Sequence, residues 1–359
     1  MSEKQASIGK VLLAWYDQHA RILPWRGSQD PYHIWLSEIM LQQTRVDTVM
    51  DYYRKWLEAC PTLESFAEAD EEQVLKKWQG LGYYSRVRHF HQAAKQVIQT
   101  YGVDYPKDIQ QWLELPGVGA YTAAAICSIA FQRTTPVFDG NVLRVMSRML
   151  EIKENPKEKK VQKLLLDIAK EWMDPQRPGD YNQAMMDLGA TICLPNGAPK
   201  CDICPLSASC GIAFSDSWRV IPPKKERKVR KVEERTVFIY CVKDKIFLKK
   251  RSKKGLLAGL WELPSVSHSS KEIHVEEDLL LSHDIVEKEV LAEPIFLHVF
   301  SHLEWRMKVR VIYLREVPLE LKGVWASFED LTEKYSIPTA FADILHWYRT
   351  KGEIKIQKT

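Results

Sequence analysis

Leu115-Pro116-Gly117-Val118-Gly119 opens a stretch, residues 115–139, on which the reading of the whole chain turns. After it come an alanine-rich helix from Ala120 to Ala130 and then Asp139, twenty residues past the second glycine. Glycine takes positive φ without strain, so two glycines flanking one hydrophobe suit a tight hairpin between helices. The hairpin Leu115, Gly117, Val118 and Gly119 then leaves backbone N–H groups pointing outward where the next helix starts. Such a site holds an anion, and a nucleic-acid backbone phosphate suits it. A carboxylate delivered beside a gripped phosphodiester is what parting a base from its sugar needs.

The 359 residues leave room for two or three domains with sizeable cores. With 45% hydrophobic and 27% charged residues the chain reads as globular, neither disordered nor fibrous. No apolar run approaches a membrane span, and the N-terminus MSEKQASIGK is polar, without the apolar core of a signal peptide. A cytoplasmic protein is expected. The net charge of +4 is local: residues 216–231 hold seven basic and two acidic side chains, which leaves the remainder at about −1. Binding to nucleic acid would therefore use local sites and not an overall basic field.

From Ile8 to about Cys210 apolar residues recur at helical spacing. Asp30-Pro31 reads as an N-cap followed by proline at the first helical position, opening a helix through Ile34, Trp35, Ile39 and Met40. Further helices are predicted at 45–58, 71–78, 86–100, 109–114, 120–130, 141–150, 157–172 and 181–192. Residues 215–231, with Pro222-Pro223 and dense charge, read as a linker. Solvation is its default role, with DNA or a repair-protein partner as alternatives. Beyond it the period becomes two, with strands at 236–242 and 245–249 around a Lys243-Asp244 turn and another at 305–314. A helix over 339–348 closes this smaller α+β domain.

Four of the seven cysteines cluster as Cys193, Cys201, Cys204 and Cys210. Four thiols within eighteen residues argue for a metal centre over disulfides. Zinc or a four-iron cluster can use four thiolates. One C-x2-C pair with wide flanking gaps favours iron–sulfur. Cys60, Cys127 and Cys241 sit in apolar contexts and read as core residues.

The hairpin, Asp139 and the cysteine quartet together resemble the endonuclease III superfamily of helix-hairpin-helix DNA glycosylases, and within it the A/G-specific adenine glycosylases. The matching segments are 23–26 (LPWR), 35–44 (WLSEIMLQQT), 80–86 (GLGYYSR), 137–144 (VFDGNVLR) and 182–190 (NQAMMDLGA). The first cysteine gap is one residue longer than is usual in the family. The resemblance implies a multidomain fold: an all-α helix-hairpin-helix glycosylase region over 1–214 with a [4Fe-4S] cluster loop, then a linker over 215–231. A C-terminal α+β domain related to Nudix hydrolases would follow over 232–359. Within the first region a six-helix barrel would span about 22–131, and a cluster subdomain 1–21 and 132–214.

It also implies roles. Glu38 matches the general acid that protonates adenine at N7. It shares a helix face with Ile34 and Leu41, and apolar neighbours raise a carboxyl's pKa as an acid at neutral pH requires. Asp139 matches the residue that stabilises the sugar cation; Asp139-Gly140-Asn141-Val142 reads as an N-cap, where backbone N–H groups and the helix dipole favour the carboxylate. Tyr121 stands where strand-cutting members carry a Schiff-base lysine. A tyrosine cannot form an imine, so a monofunctional enzyme is expected.

The target base must leave the stack. Gln42, Gln43 and Thr44 match intercalating and base-contacting residues, and Tyr83 an aromatic wedge. Leu81 and Trp25 are expected in the adenine pocket, with Arg26 and Gln183 at the base edge and Lys200 near phosphate. Phe300, Ser301 and His302 match the loop that senses 8-oxoguanine. The second domain lacks the glutamate run of Nudix hydrolases, so no pyrophosphate cleavage is expected. The implied activity is removal of adenine opposite 8-oxoguanine or guanine in duplex DNA, by a monomeric, nucleoid-associated bacterial protein without membrane contact. The rivals are a pyrimidine-directed glycosylase with lyase activity, opposed by Tyr121, and a mismatch reader without turnover, opposed by Glu38 and Asp139.

Overall fold

A computed structural model describes residues 3–102, 104–223, 229–268, 285–289, 295–318 and 321–356, with backbone alone for 3–7, 285–289 and 351–356. They form two compact units: Met1–Glu68 with His89–Glu226, and Ala69–Arg88 with Arg227–Thr359. In chain order the first eleven helices are α1 (Glu3–His19), α2 (Pro31–Leu41), α3 (Val46–Ala59), α4 (Leu63–Glu68), α5 (Glu71–Lys77), α6 (Ser85–Tyr101), α7 (Ile109–Leu113), α8 (Ala120–Phe131), α9 (Gly140–Met149), α10 (Lys159–Trp172) and α11 (Pro178–Thr191). Short 3-10 turns follow at Cys201–Ile203, Ser207–Ser209 and Asp216–Arg219. None of the described helices is long and apolar enough to cross a membrane.

α2 is buried on all sides, every residue from Ile34 to Met40 included. A helix apolar all round belongs inside a core. Asp30 caps it by accepting the Tyr32 N–H at 2.8 Å, with Pro31 in the first turn. An aromatic cluster fixes it from behind: the Trp35 ring lies 4.7 Å from Phe90 and 5.0 Å from Trp112. Edge-on pairs of this kind add roughly 1 kcal/mol each beyond the area they bury.

A second core joins α1, α8, α9, α10 and α11 through Leu12, Ala125, Met146, Leu165, Tyr181 and Met185. α11 packs against α1, α8 and α9. Its Gly189 sits so close to α9 that a β-carbon there would lie 2.6 Å from Asn141 Cβ. Buried Asn182, on the same helix, accepts the Val137 N–H at 3.1 Å and donates to Ser128 Oγ at 2.8 Å and the Thr135 carbonyl at 2.9 Å. The chain leading into Asp139 is thereby pinned to α8 and α11.

In the second unit β1 (Lys231–Val242) and β7 (Leu303–Leu314) are the parallel centre of a mixed sheet, with Ile239 opposite Val311. β2 (Lys245–Lys250), β3 (Trp261–Glu262), β4 (Ser265–Ser267), β5 (Ile285–Glu289), β6 (Phe296–Val299) and β8 (Val324–Ala326) complete it, all paired antiparallel. Alternate residues of β1 feed opposite faces. Val237, Ile239 and Cys241 join one core with Phe341 and Ile344; Phe238, Tyr240 and Val242 join another. The helices α12 (Phe328–Glu333) and α13 (Ala342–Ile356) contribute to the first of these cores.

The expected linker is ordered at its start. Residues 216–219 form a helical turn, and buried Arg148 donates to the carbonyls of Trp218 at 3.1 Å and Ile221 at 3.0 Å. Residues 224–228 lie outside the described residues, and Lys231 already belongs to β1.

Candidate active site

The hairpin is built as its glycines suggest, with a difference between them. Gly117 has φ +74°. A β-carbon there would also meet His89 Cβ at 2.5 Å. Gly119 is instead the N-cap of α8 in extended conformation, φ −95°, with open space around it. Val118 N–H closes the turn on the Leu115 carbonyl at 3.2 Å. No side chain caps α8, so its first N–H groups face outward.

Glu38 projects from buried α2 and is only 5% exposed. Tyr121, in the first turn of α8, donates its hydroxyl to Glu38 Oε2 at 2.6 Å and to Met186 Sδ at 3.2 Å. Burial pushes the Glu38 carboxyl up to about 6; the Tyr121 hydrogen bond and then the Arg26 charge pull it down, and the Asp139 charge adds to the rise. Burial, with the charges of Glu38 and Asp139, drives the Tyr121 phenol well above its ordinary range, so it remains a donor. Desolvation thus disfavours the charged form of Glu38 although a hydroxyl supports it.

Asp139 caps α9. Its Oδ1 accepts the Val142 N–H at 2.7 Å and its Oδ2 the Asn141 side-chain amide at 2.8 Å. Asn141 in turn accepts from Arg144 at 2.9 Å, and Arg144 donates to the Cys193 carbonyl at 2.9 Å. Asp139 is half-buried at the helix start, within electrostatic reach of Glu38 and Tyr121.

A recess beside Glu38 is lined by Trp25, Arg26, Ile34, Leu41, Gln183 and Met186, among others. Trp25 is anchored edge-on to Tyr53, with ring centroids 5.4 Å apart. Arg26, expected at the base edge, lines this recess with two of its guanidinium nitrogens bonded. Nη1 donates to Tyr16 Oη at 2.7 Å and Nη2 to Asp187 Oδ1 at 2.8 Å. Gln42 is the C-cap residue of α2; exposed Gln43 follows at φ +61°, with half-buried Thr44 after it. Met186 and Asp187 were missed because neither residue type announces a role. Their spacing from Gln183, three and four positions on, is the signal that would have found them.

Leu81 and Tyr83 lie in the second unit. There they line a recess with Phe300, Ser301 and His302. Tyr83 is 46% exposed at φ +46°, a backbone state costly for a large side chain. Phe300 is held by Trp305 and His298, at centroid distances of 4.9 and 4.6 Å, while Ser301 and His302 are exposed.

The four cysteines line one largely apolar recess with Val145, Met149 and Leu206. Arg148 Nη1 approaches Cys193 Sγ at 3.3 Å. Burial pushes the Cys204 thiol up to about 11, so a nearby cation is needed to hold it as thiolate. Among the described residues no three His, Cys, Asp or Glu groups stand at ligand spacing, so the quartet shares a recess without closing on one point. The long first gap is closed by Lys200 N–H on the Ile192 carbonyl at 3.0 Å, with Gly197 at φ +83° between. Lys200 itself is exposed. A sulfur-only donor set with a guanidinium beside it fits a soft, anionic metal centre.

Comparison with known proteins places both parts of the chain in described families. The HhH-GPD superfamily of base excision DNA repair proteins matches residues 36–171, and the NUDIX domain family matches 236–347. The solved structure of a thermostable thymine-DNA glycosylase superposes with a TM-score of 0.53 at 29% identity, covering 58% of this chain and 96% of that one. The fold is that of a helix-hairpin-helix DNA N-glycosylase. Adenine DNA glycosylases are similar over far more of the chain: that of Mus musculus is 34% identical across 94% of this chain and 77% of its own. That of Schizosaccharomyces pombe is 35% identical across 81% and 78%. The chain belongs to the adenine DNA glycosylase family, base excision repair enzymes that act on adenine in DNA.

Proposed function

We propose that this enzyme removes adenine mispaired with 8-oxoguanine or guanine from duplex DNA, by hydrolysis and without cutting the strand. The Tyr121–Glu38 contact carries the reading: it holds a buried carboxyl whose proton is retained to about pH 6, with a helix-capping carboxylate close by. The hairpin N–H groups grip phosphate, Gln42, Gln43, Thr44 and Tyr83 help to open the duplex, and adenine enters the recess beside Trp25 and Gln183. Glu38 gives its proton to N7; the C1′–N9 bond breaks with its electrons passing to the base. Asp139 supports the sugar cation until water adds at C1′ and passes its proton to the Glu38 carboxylate. Two carboxyl groups in unlike environments suit glycosidic cleavage through an oxocarbenium ion. Tyr121, with no amine, offers no route to an imine.

Cys193, Cys201, Cys204 and Cys210 would hold a [4Fe-4S] cluster, which when bound cross-links the loop 193–210. Ser301 and His302 would read the oxidised guanine, serine offering both a donor and an acceptor. The deciding experiment is single-turnover release, scored by alkali scission, on duplexes with adenine opposite 8-oxoguanine, guanine, cytosine and thymine. Release confined to the first two is expected. Equal release from all four, or scission without alkali, would overturn the reading.

A further inference from the structure

One buried charge in the first unit has no part in the steps above. The Asp187 side chain is 0% exposed. Its Oδ2 accepts the Arg21 backbone N–H at 3.1 Å, while its Oδ1 accepts Arg21 Nε at 2.8 Å and Arg26 Nη2 at 2.8 Å. Arg21 Nη2 lies 2.7 Å from the same oxygen. Both arginines line the Glu38 recess, and Arg26 is only 13% exposed. Tyr16 Oη holds the other prong of the Arg26 fork. A carboxylate removed from water is sustained only by close partners, and here two cations supply them. Asp187 follows Met186, the sulfur acceptor of Tyr121, so one turn of α11 serves both the hydroxyl and the guanidinium that face Glu38.

We propose that Asp187 is a positioning residue: through the Arg21–Arg26 pair it fixes how much positive charge Glu38 feels. The charged and titratable groups facing Glu38 are Tyr121 from α8, Asp139 from the start of α9, and Arg26 from the segment before α2. Gln183 and Met186 of α11 are neutral, and Arg21 stands at the same recess. Asp187 offsets the arginine charge, which would otherwise favour ionised Glu38 and empty the acid of its proton. The inference rests on the proposed role of Glu38 as proton donor, and the test separates the two.

The full chain is compared as wild type, Asp187→Asn, Arg26→Gln and the double variant. Single-turnover adenine release is measured from pH 5 to 8, and the Glu38 carboxyl is titrated directly by carbon-13 NMR. Asp187→Asn is expected to lower the midpoint of both curves, with release at pH 7.5 falling by about three- to tenfold. Arg26→Gln should raise the midpoint, and Asp187→Asn should move it less in the Arg26→Gln background than in wild type, because only the Arg21 guanidinium then remains for Asp187 to hold. An unmoved Glu38 titration in folded Asp187→Asn, or a shift of the same size with and without Arg26, would overturn the proposal. Should Asp187→Asn fail to fold, Arg21→Gln and Arg26→Gln titrated singly still decide, because a Glu38 midpoint unmoved in both would overturn the proposal. If the NMR titrations move as stated while release ignores pH, the role of Glu38 as acid falls and that of Asp187 stands.

Discussion

Glu38 shows how a site trades stability for chemistry. Its carboxyl is held at about 6 against an ordinary 4.5, so the folded state favours the neutral form. That preference is complete below about pH 4.5 and is lost as pH rises through about 6, where the ionised group must be kept buried. Glu38→Gln retains an acceptor for Tyr121 and removes the charge. It should stabilise the fold by about 2 kcal/mol at pH 7.5 and hardly at all at pH 4. Melting scans at both values check this, and equal shifts would contradict the burial argument. The same variant should bind mispaired duplex yet release no adenine. The carboxyl and its apolar face were legible in α2 because helical spacing shows which residues share a side. Its contact was not: Tyr121 was expected at the site, but no local pattern predicts which distant hydroxyl meets which carboxylate.

Among elements, the hairpin and the cysteine loop carry separate demands. Gly117→Ala would put a side chain at φ +74° and against His89, whereas Gly119→Ala meets open space at an ordinary φ. The first should cost roughly 1–3 kcal/mol of stability. The second should leave melting within about 0.5 kcal/mol of wild type. Calorimetry of the two variants distinguishes them, and equal losses would mean that the turn is not what Gly117 serves. Cys204→Ser should lose protein-bound iron and expose 193–210 to proteolysis, while Cys60→Ser should keep its iron. Active protein holding zinc in place of iron would reverse the assignment. The helical period revealed most of the longer helices to within a few residues. α4 (Leu63–Glu68) escaped it, as did the 3-10 turns of the cysteine loop, whose residues show no apolar stripe.

Across the molecule, sequence order and spatial grouping part company. Ala69–Arg88 groups with Arg227–Thr359 even though its neighbours on either side belong to the first unit. Half-buried Lys76 shows how, donating to the carbonyls of Leu331 at 3.1 Å and Tyr335 at 2.9 Å. Composition cannot signal such a grouping, because it rests on carbonyls that any residue could supply. The two-residue period did disclose β1, β2 and β7, whose alternating faces feed two cores. Within this unit, replacing exposed Ser301 and His302 together by alanine should erode preference for 8-oxoguanine over guanine without moving the melting temperature. Phe300→Ala should lower it as well, by removing a ring packed on Trp305. An unchanged substrate ratio in the double alanine variant would reassign the loop.

Gly189 is buried and has no side chain of its own, yet little is free to vary there. A single methyl group would wedge α11 against Asn141 and so prise the amide from Asp139 Oδ2. In a library of every single substitution, selected for survival of repair in living cells, this position should prove as intolerant as the carboxylates themselves. Inheritance would then record a vacant side chain as faithfully as a reactive one.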